Sequence, residues 1–135
     1  MTTYKTKIKL HETDAAGVLF FTSQFKIAHD AYEVFLTQIG YPIYSFISDL
    51  DYFLPIVHAE ADYFSRLCVG VDLSVKVGVE KIGDSSFTLR YIFEISEGKK
   101  VGEVKTVHVS LDKKSRKKIT LPHDLRSALT DHLIS

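Results

Sequence analysis

The chain has 135 residues, of which 45% are hydrophobic and 25% charged, a globular composition whose length favours one domain over residues 1–135. Seventeen basic and seventeen acidic residues cancel, which argues against a nucleic-acid partner. The longest apolar run, 15–21, is far shorter than the roughly 20 residues that cross a bilayer. No signal peptide is recognisable, and the single cysteine, Cys68, cannot form an intrachain disulfide. We therefore expect a cytoplasmic protein that does not bind membranes.

The N-terminal part of the chain predicts a strand and a long helix. Residues 4–10 alternate between lysines and other side chains, a pattern typical of a strand with one solvated face. Apolar residues then recur every three or four positions, which predicts an amphipathic helix: Phe25, Ala28, Tyr32, Phe35, Leu36 and Ile39. Ser23 is the predicted N-cap, and Gly40 with Pro42 the predicted end. Residues 43–48 are compatible with a short helical turn.

The C-terminal part predicts a series of strands joined by short turns. Alternating apolar residues indicate strands at 55–67, 71–79, 87–95 and 101–111, and a final helix at 124–133. The alternation slips between Val101 and Val104, which suggests a bulge. Short turns imply antiparallel neighbours, and the apolar face of such a sheet needs a cover. We predict an α+β hotdog fold, with the sheet wrapped around one helix and an uncovered edge that favours a dimer.

Several segments resemble a known enzyme family. The turn with Asp14, Ala15 and Gly17 in TDAAGVLFF, followed by a helix, resembles the signature of hotdog acyl-CoA thioesterases of the 4-hydroxybenzoyl-CoA thioesterase type. The segments HDAYEVFL, LPIVHAEADY, SFTLRY and TVHVSLD are similar to the branch that hydrolyses 1,4-dihydroxy-2-naphthoyl-CoA in menaquinone and phylloquinone biosynthesis. The resemblance covers about residues 4–122. It implies an acyl-CoA substrate, no cofactor, and a homodimer or homotetramer.

The resemblance also implies roles at the start of the helix. Cleaving a thioester requires a nucleophile or a base, together with hydrogen-bond donors for the oxyanion. No serine stands in a G-x-S-x-G context. The family pattern makes Asp14 either the nucleophile or the general base for water, and the backbone N–H of Phe21 the oxyanion donor. Gly17 would then contact substrate. Relatives carry an Asn-Tyr pair where this chain has Ser23-Gln24, so only backbone roles carry over here.

Other polar residues allow two readings each. His58 is either a substrate contact reached across a dimer interface or a surface histidine of a strand. Tyr32 lines the acyl pocket or packs in the core, and Glu33 is the second candidate for the catalytic acid or simply pairs along the helix. Glu60 and Asp62 share the strand face of His58, but we expect no metal there, since thioester hydrolysis does not require one.

A basic run at 113–118 is the strongest charge cluster of the chain. By resemblance, Lys113 and Arg116 are candidates for the CoA phosphates, although such runs are usually solvated turns. Two alternatives to an aromatic acyl-CoA thioesterase stay open. One is a thioesterase for short or medium-chain acyl-CoA, and the other is a non-catalytic hotdog protein that binds acyl-CoA.

Overall fold

The computed structural model describes residues 1–134, which form one five-stranded antiparallel sheet, a two-stranded ribbon and three α-helices. The strands are β1 (Thr2–Lys7), β2 (Tyr52–Phe53), β3 (Ile56–Tyr63), β4 (Asp72–Ile82), β5 (Ser86–Ile95), β6 (Lys99–Val109) and β7 (Leu111–Asp112). The helices are α1 (Phe21–Gln38), α2 (Ile43–Ser48) and α3 (His123–Thr130). The large sheet has the order β1-β4-β5-β6-β3, and β2 pairs with β7.

The core lies between α1 and one face of the sheet. Because successive strand residues point to opposite faces, the alternating apolar residues of β4 and β5 share one side. These side chains are buried: Leu73, Val75, Val77, Val79, Phe87, Leu89, Tyr91 and Phe93. On α1, Ile27, Ala31, Phe35 and Leu36 are fully buried. The predicted α+β hotdog fold, a sheet around one long helix, is confirmed.

Two predicted strands end earlier than expected. The first strand stops at Lys7 because Leu10–Glu12 forms a 3₁₀ turn. The strand predicted at 55–67 stops at Tyr63, since the amides of Phe64 and Ser65 both donate to the carbonyl of Val101.

The predicted final strand is divided in two, and the final helix is shorter than predicted. The amide of Ser110 donates to Ser85, which separates β6 from β7. The bulge is confirmed, because Phe93 pairs with Gly102 while Glu94 pairs with Lys100, so that Val101 is the extra residue. Helix α3 ends at Thr130 because the following residues bond back to β4.

Strand β3 lies at an open edge of the sheet, and most of its side chains are exposed. Ile56, Val57 and Tyr63 expose 42%, 59% and 48% of their surface, and Phe64 just beyond exposes 54%. Exposed apolar side chains at the edge of a sheet are usually covered in natural proteins.

Among residues 1–134, none of the helices combines the length and the hydropathy needed to cross a bilayer.

Candidate active site

Asp14 stands in a tight turn just before α1. Its Oδ1 accepts hydrogen bonds from the amides of Ala16 (2.9 Å) and Val18 (3.3 Å), while its own amide donates to the Val18 carbonyl. No donor among residues 1–134 reaches the second oxygen, Oδ2, and the side chain is exposed. Gly17 has φ +74°, a left-handed conformation that glycine adopts at little cost. The turn therefore fixes one carboxylate oxygen and leaves the other available.

The turn is held at both ends by the backbone. The amide of Phe20 donates to the carbonyl of Glu12 (2.9 Å), and the amide of Leu19 donates to Leu67 (2.7 Å). The amide of Val69 donates to Gly17 (3.0 Å) on the same side. The loop from Glu12 to Phe20 is thus a closed hairpin, which brings Asp14, Gly17 and the first residue of α1 into one local unit.

Helix α1 begins at Phe21, three residues earlier than an N-cap at Ser23 implies, and the predicted capping role of Ser23 is wrong. Phe20 is the N-cap, and no side chain accepts a hydrogen bond from the first turn. Ser23 lies inside the first turn, where its own amide donates to the Phe20 carbonyl. The N–H of Phe21 has no acceptor among residues 1–134. An uncapped N-terminus presents free donors and the positive end of the helix dipole.

Two contacts that the sequence did not indicate join the start of α1 to β3 and β6. The Tyr63 hydroxyl donates to the Phe21 carbonyl at 2.6 Å. The buried Gln24 amide nitrogen donates to the Asp62 carbonyl at 3.0 Å. A Cβ on Gly102 would lie 2.9 Å from that nitrogen, so the missing side chain of Gly102 leaves room for Gln24. Gln24, noted only as a departure from the family pattern, thus fixes the helix N-terminus against the sheet.

A cavity of ≈ 290 Å³ lies between α1 and the sheet, beside the open edge. Its lining combines one helix turn, the edge strand and two central strands: Phe25, Lys26, His29, Ile56, Ala59, Tyr91 and Thr106. A second cavity of ≈ 240 Å³ continues along α1, lined by His29, Tyr32, Ile43, Phe46, Phe53, Leu54 and Pro55. His29 lines both, so the two spaces meet at one turn of the helix.

Tyr32 lies at this junction, although only 5% of it is exposed. Its ring stacks on His108 (4.6 Å between centroids) and meets the ring of His29 edge-on (5.3 Å). Burial raises the pKa of Tyr32, so the phenol is neutral. Tyr32 is therefore a core residue that also forms part of a cavity wall, and its place in an acyl pocket stays a prediction.

A chain of buried polar groups behind the first cavity was not anticipated from the sequence. The Tyr91 hydroxyl lies 3.0 Å from Thr106 Oγ1, which lies 2.9 Å from His108 Nε2, and His108 Nδ1 lies 3.2 Å from the Leu54 carbonyl. Burial lowers the pKa of His108 to about 4, so its ring is neutral at pH 7. His108 escaped notice because it occupies an apolar position of an alternating strand.

The remaining candidates have hydrogen-bond and charge partners outside the Asp14 turn. His58 is exposed and its Nε2 lies 3.2 Å from Glu60 Oε1, on the strand face opposite to Ala59. Glu33 faces His29 across one helix turn at 3.8 Å. Among residues 1–134, no three His, Cys, Asp or Glu side chains gather closely enough to hold a metal ion.

The basic run forms a tight loop after β7. Asp112 Oδ2 accepts hydrogen bonds from the amides of Lys114 (3.0 Å) and Ser115 (2.8 Å), and these bonds lower the pKa of its carboxyl. Arg116 has a positive φ of 61°, and its guanidinium lies 5.3 Å from the ring centre of Phe53. Phe53 lines the second cavity, so the basic loop adjoins its rim.

Comparisons with known proteins agree with this geometry. Residues 8–129 match the model of the thioesterase-like superfamily. The chain is 37% identical to the 1,4-dihydroxy-2-naphthoyl-CoA hydrolase of Prochlorococcus marinus (strain NATL2A), over 87% of this chain and 79% of that protein. The 1,4-dihydroxy-2-naphthoyl-CoA thioesterase from Synechocystis superposes with a TM-score of 0.88 at 30% identity, covering 96% of each chain.

A more distant structure shows the fold alone. A Staphylococcus aureus protein solved in complex with CoA superposes with a TM-score of 0.90 at 13% identity, over 99% of this chain and 86% of that one. The family match spans most of the chain, and it includes the Asp14 turn, α1 and the strands that line the cavities. This chain therefore belongs to the thioesterase-like superfamily of hotdog proteins.

Proposed function

We propose that the protein hydrolyses an aromatic acyl-CoA, 1,4-dihydroxy-2-naphthoyl-CoA, in the formation of menaquinone or phylloquinone. The names of the relatives at 37% and 30% identity support this substrate. The observation that carries the chemistry is that, among residues 1–134, the Asp14 turn presents a carboxylate oxygen without a donor and the adjoining start of α1 presents an amide without an acceptor. A carboxylate and an amide are what thioester cleavage needs.

In this mechanism Asp14 acts on the thioester carbonyl while the Phe21 amide stabilises the negative charge. The hydrogen bonds to Oδ1 hold the carboxylate, and Oδ2 either attacks the carbonyl carbon or takes a proton from water. The carbonyl oxygen becomes an oxyanion, and one N–H donor at that position lowers the barrier by about 2.7–4 kcal/mol. Collapse of the tetrahedral species expels CoA as its thiolate. Direct attack leaves a mixed anhydride on Asp14, which water then hydrolyses.

Gly17 and the basic loop complete the proposed substrate contacts. Gly17 lacks a Cβ at the bend beside Asp14, so the backbone is open to a thioester there. Lys113 and Arg116 are proposed ligands of the CoA phosphates, because the loop adjoins the rim of the second cavity through Phe53. Arginine and lysine both suit phosphate groups.

The open edge of β3 supports a homodimer, which is part of the proposal. The cavity beside α1 is lined on one side by Ile56 and Ala59 of that edge, so a second copy against β3 closes the cavity as well as the sheet. His58 stays a predicted contact to a substrate bound across this interface. Association of two dimers into a tetramer likewise stays a prediction.

The decisive test is Asp14→Asn, assayed for thiol release from 1,4-dihydroxy-2-naphthoyl, benzoyl and aliphatic CoA esters. We expect kcat to fall roughly 10²- to 10⁴-fold, because the substitution removes the base or nucleophile but keeps an oxygen for the turn. Asp84→Asn, at another exposed turn, is the matched control and should retain full activity. Phe21→Ala should lose much less than Asp14→Asn, since the donor is backbone.

The same assay separates the alternatives. Undiminished turnover by Asp14→Asn would contradict the assigned role of this carboxylate. Wild-type protein that binds CoA esters without releasing thiol would identify a non-catalytic binding protein. A higher kcat/KM on aliphatic esters than on the naphthoyl ester would identify a short or medium-chain thioesterase instead.

A further inference from the structure

Three buried hydroxyl and imidazole groups form a directed hydrogen-bond chain that ends at the cavity beside α1. Tyr91 and Thr106 line this cavity, and His108 lies behind them with no exposed surface. The chain runs from the Tyr91 hydroxyl through Thr106 Oγ1 and His108 to the Leu54 carbonyl, with distances of 3.0, 2.9 and 3.2 Å. It plays no part in the Asp14 chemistry.

The direction of the protons in this chain follows from its far end. A backbone carbonyl only accepts, so His108 Nδ1 carries the proton and donates to Leu54. In the neutral ring Nε2 is then an acceptor, which receives the proton of the Thr106 hydroxyl. Thr106 has no second proton, so in their mutual contact the Tyr91 hydroxyl must donate to Thr106.

Tyr91, which lines the cavity, therefore has a hydroxyl whose proton is already donated to Thr106. Burial raises the pKa of Tyr91, so the phenol keeps its proton, and no donor among residues 1–134 bonds to its oxygen. Phe25, Ile56 and Ala59 make the surrounding wall largely apolar. Lys26 is engaged by Glu12 at 3.2 Å and Asp30 at 3.5 Å. A ligand hydroxyl in this cavity is matched by Tyr91 as an acceptor, whereas the Tyr91 hydroxyl has no proton left to donate to a ligand carbonyl or carboxylate.

We propose that Tyr91 determines specificity by accepting a hydrogen bond from a ring hydroxyl of the acyl group, and that Thr106 and His108 are positioning residues that fix its proton. This inference rests on the proposed hydrolysis of an aromatic acyl-CoA. In a 1,4-dihydroxy-2-naphthoyl thioester, the hydroxyl next to the thioester is placed to bond internally to the carbonyl oxygen. The hydroxyl remote from the thioester is the one free to donate to Tyr91.

The test compares kcat/KM for 1,4-dihydroxy-2-naphthoyl-CoA and 1-hydroxy-2-naphthoyl-CoA, which lacks only the remote hydroxyl. Wild-type protein should prefer the dihydroxy ester roughly 10- to 100-fold, the usual effect of leaving one buried partner unpaired. In Tyr91→Phe the ratio should fall to about one or below, because the variant loses the contact that only the dihydroxy ester makes. Tyr4→Phe, on β1 and outside the cavities lined by α1, is the matched control and should keep the wild-type ratio.

Two substitutions at Thr106 test the positioning role by the same ratio. Thr106→Ser keeps the hydroxyl and should keep the preference. Thr106→Val interrupts the chain, frees the Tyr91 proton to point into the cavity, and should reduce the preference without a matching loss on the monohydroxy ester. If the melting curve shows that Tyr91→Phe does not fold, the comparison of Thr106→Ser with Thr106→Val tests the proposal without it.

The outcomes separate this inference from the proposed function. A wild-type preference that Tyr91→Phe leaves intact would overturn the role of Tyr91 and leave aromatic thioester hydrolysis standing. Equal wild-type kcat/KM values for the two naphthoyl esters would also overturn the role of Tyr91 and leave aromatic thioester hydrolysis standing. Wild-type protein that cleaves aliphatic esters but neither naphthoyl ester would overturn both proposals together.

Discussion

Glu12 and Asp14 are two acids in the same short loop, and their surroundings give them opposite roles. Glu12 is 1% exposed, and its carboxylate accepts hydrogen bonds from the Lys9 amide (2.8 Å) and the Lys26 ammonium (3.2 Å). Burial alone would raise the pKa of Glu12, but these bonds outweigh it and the pKa is lowered. Asp14 is exposed and offers one oxygen without a donor. Glu12 therefore fixes the loop, while Asp14 keeps the free oxygen that its proposed catalytic role requires.

The buried imidazole of His108 makes a pH-dependent prediction at the scale of one residue. Its pKa is about 4 in the folded protein and about 6.5 when exposed, so as pH falls below 6.5 the unfolded state binds a proton that the folded state does not. Its contribution to stability is present above pH 6.5 and lost progressively down to about pH 4. Between pH 7.5 and pH 5 we expect the free energy of unfolding to drop by about 2 kcal/mol from this residue.

Urea unfolding of the wild type and of His108→Gln at pH 7.5 and pH 5 measures this contribution. The glutamine variant keeps a polar side chain but cannot titrate, so its loss of stability on acidification should be smaller by about that amount. Equal losses in the two proteins would show that His108 does not resist protonation in the fold.

At the scale of elements, the alternating strands and the main helix were predictable, whereas their ends were not. Alternation of valines in β4 predicts a strand whichever partners surround it. Ser23 suggested a cap, but the hairpin that returns Phe20 to Glu12 places the N-cap three residues earlier, at Phe20. Such a long-range backbone contact leaves no local signal. For the same reason, the hydrogen bond from Tyr63 to Phe21 could not be predicted, since the two residues are 42 positions apart in the sequence.

The turn at Gly17 carries a prediction for Gly17→Ala. Its φ of +74° costs an alanine about 1–2 kcal/mol, so stability should fall by that amount. Part of the strain should be relieved by a change in the turn, which would displace Asp14 and lower kcat. Gly40→Ala is the matched control, because Gly40 has φ +93° at the far end of α1. Melting curves should show similar destabilisation of the two variants. The value of kcat should fall in Gly17→Ala alone.

At the scale of the whole molecule, the uncovered edge of β3 predicts the assembly. Light scattering on the purified protein should give at least twice the chain mass of 15.3 kDa. Val57→Lys places a positive charge among the exposed apolar side chains of β3 and should shift the mass toward that of one chain. Ile47→Lys, on an α2 side chain that is 78% exposed, is the control and should not. A wild-type protein that runs as a monomer would refute the proposed dimer.

The same edge has a consequence for how the enzyme behaves on dilution. The wall formed by Ile56 and Ala59 belongs to the strand that is bare in a single chain, so a lone subunit keeps a binding space open to bulk water. Turnover per subunit should then decline once the protein is diluted below its self-association constant, and progress curves begun by mixing from dilute stock should show a lag. Activity in this protein would be a property of pairs of chains rather than of each chain separately.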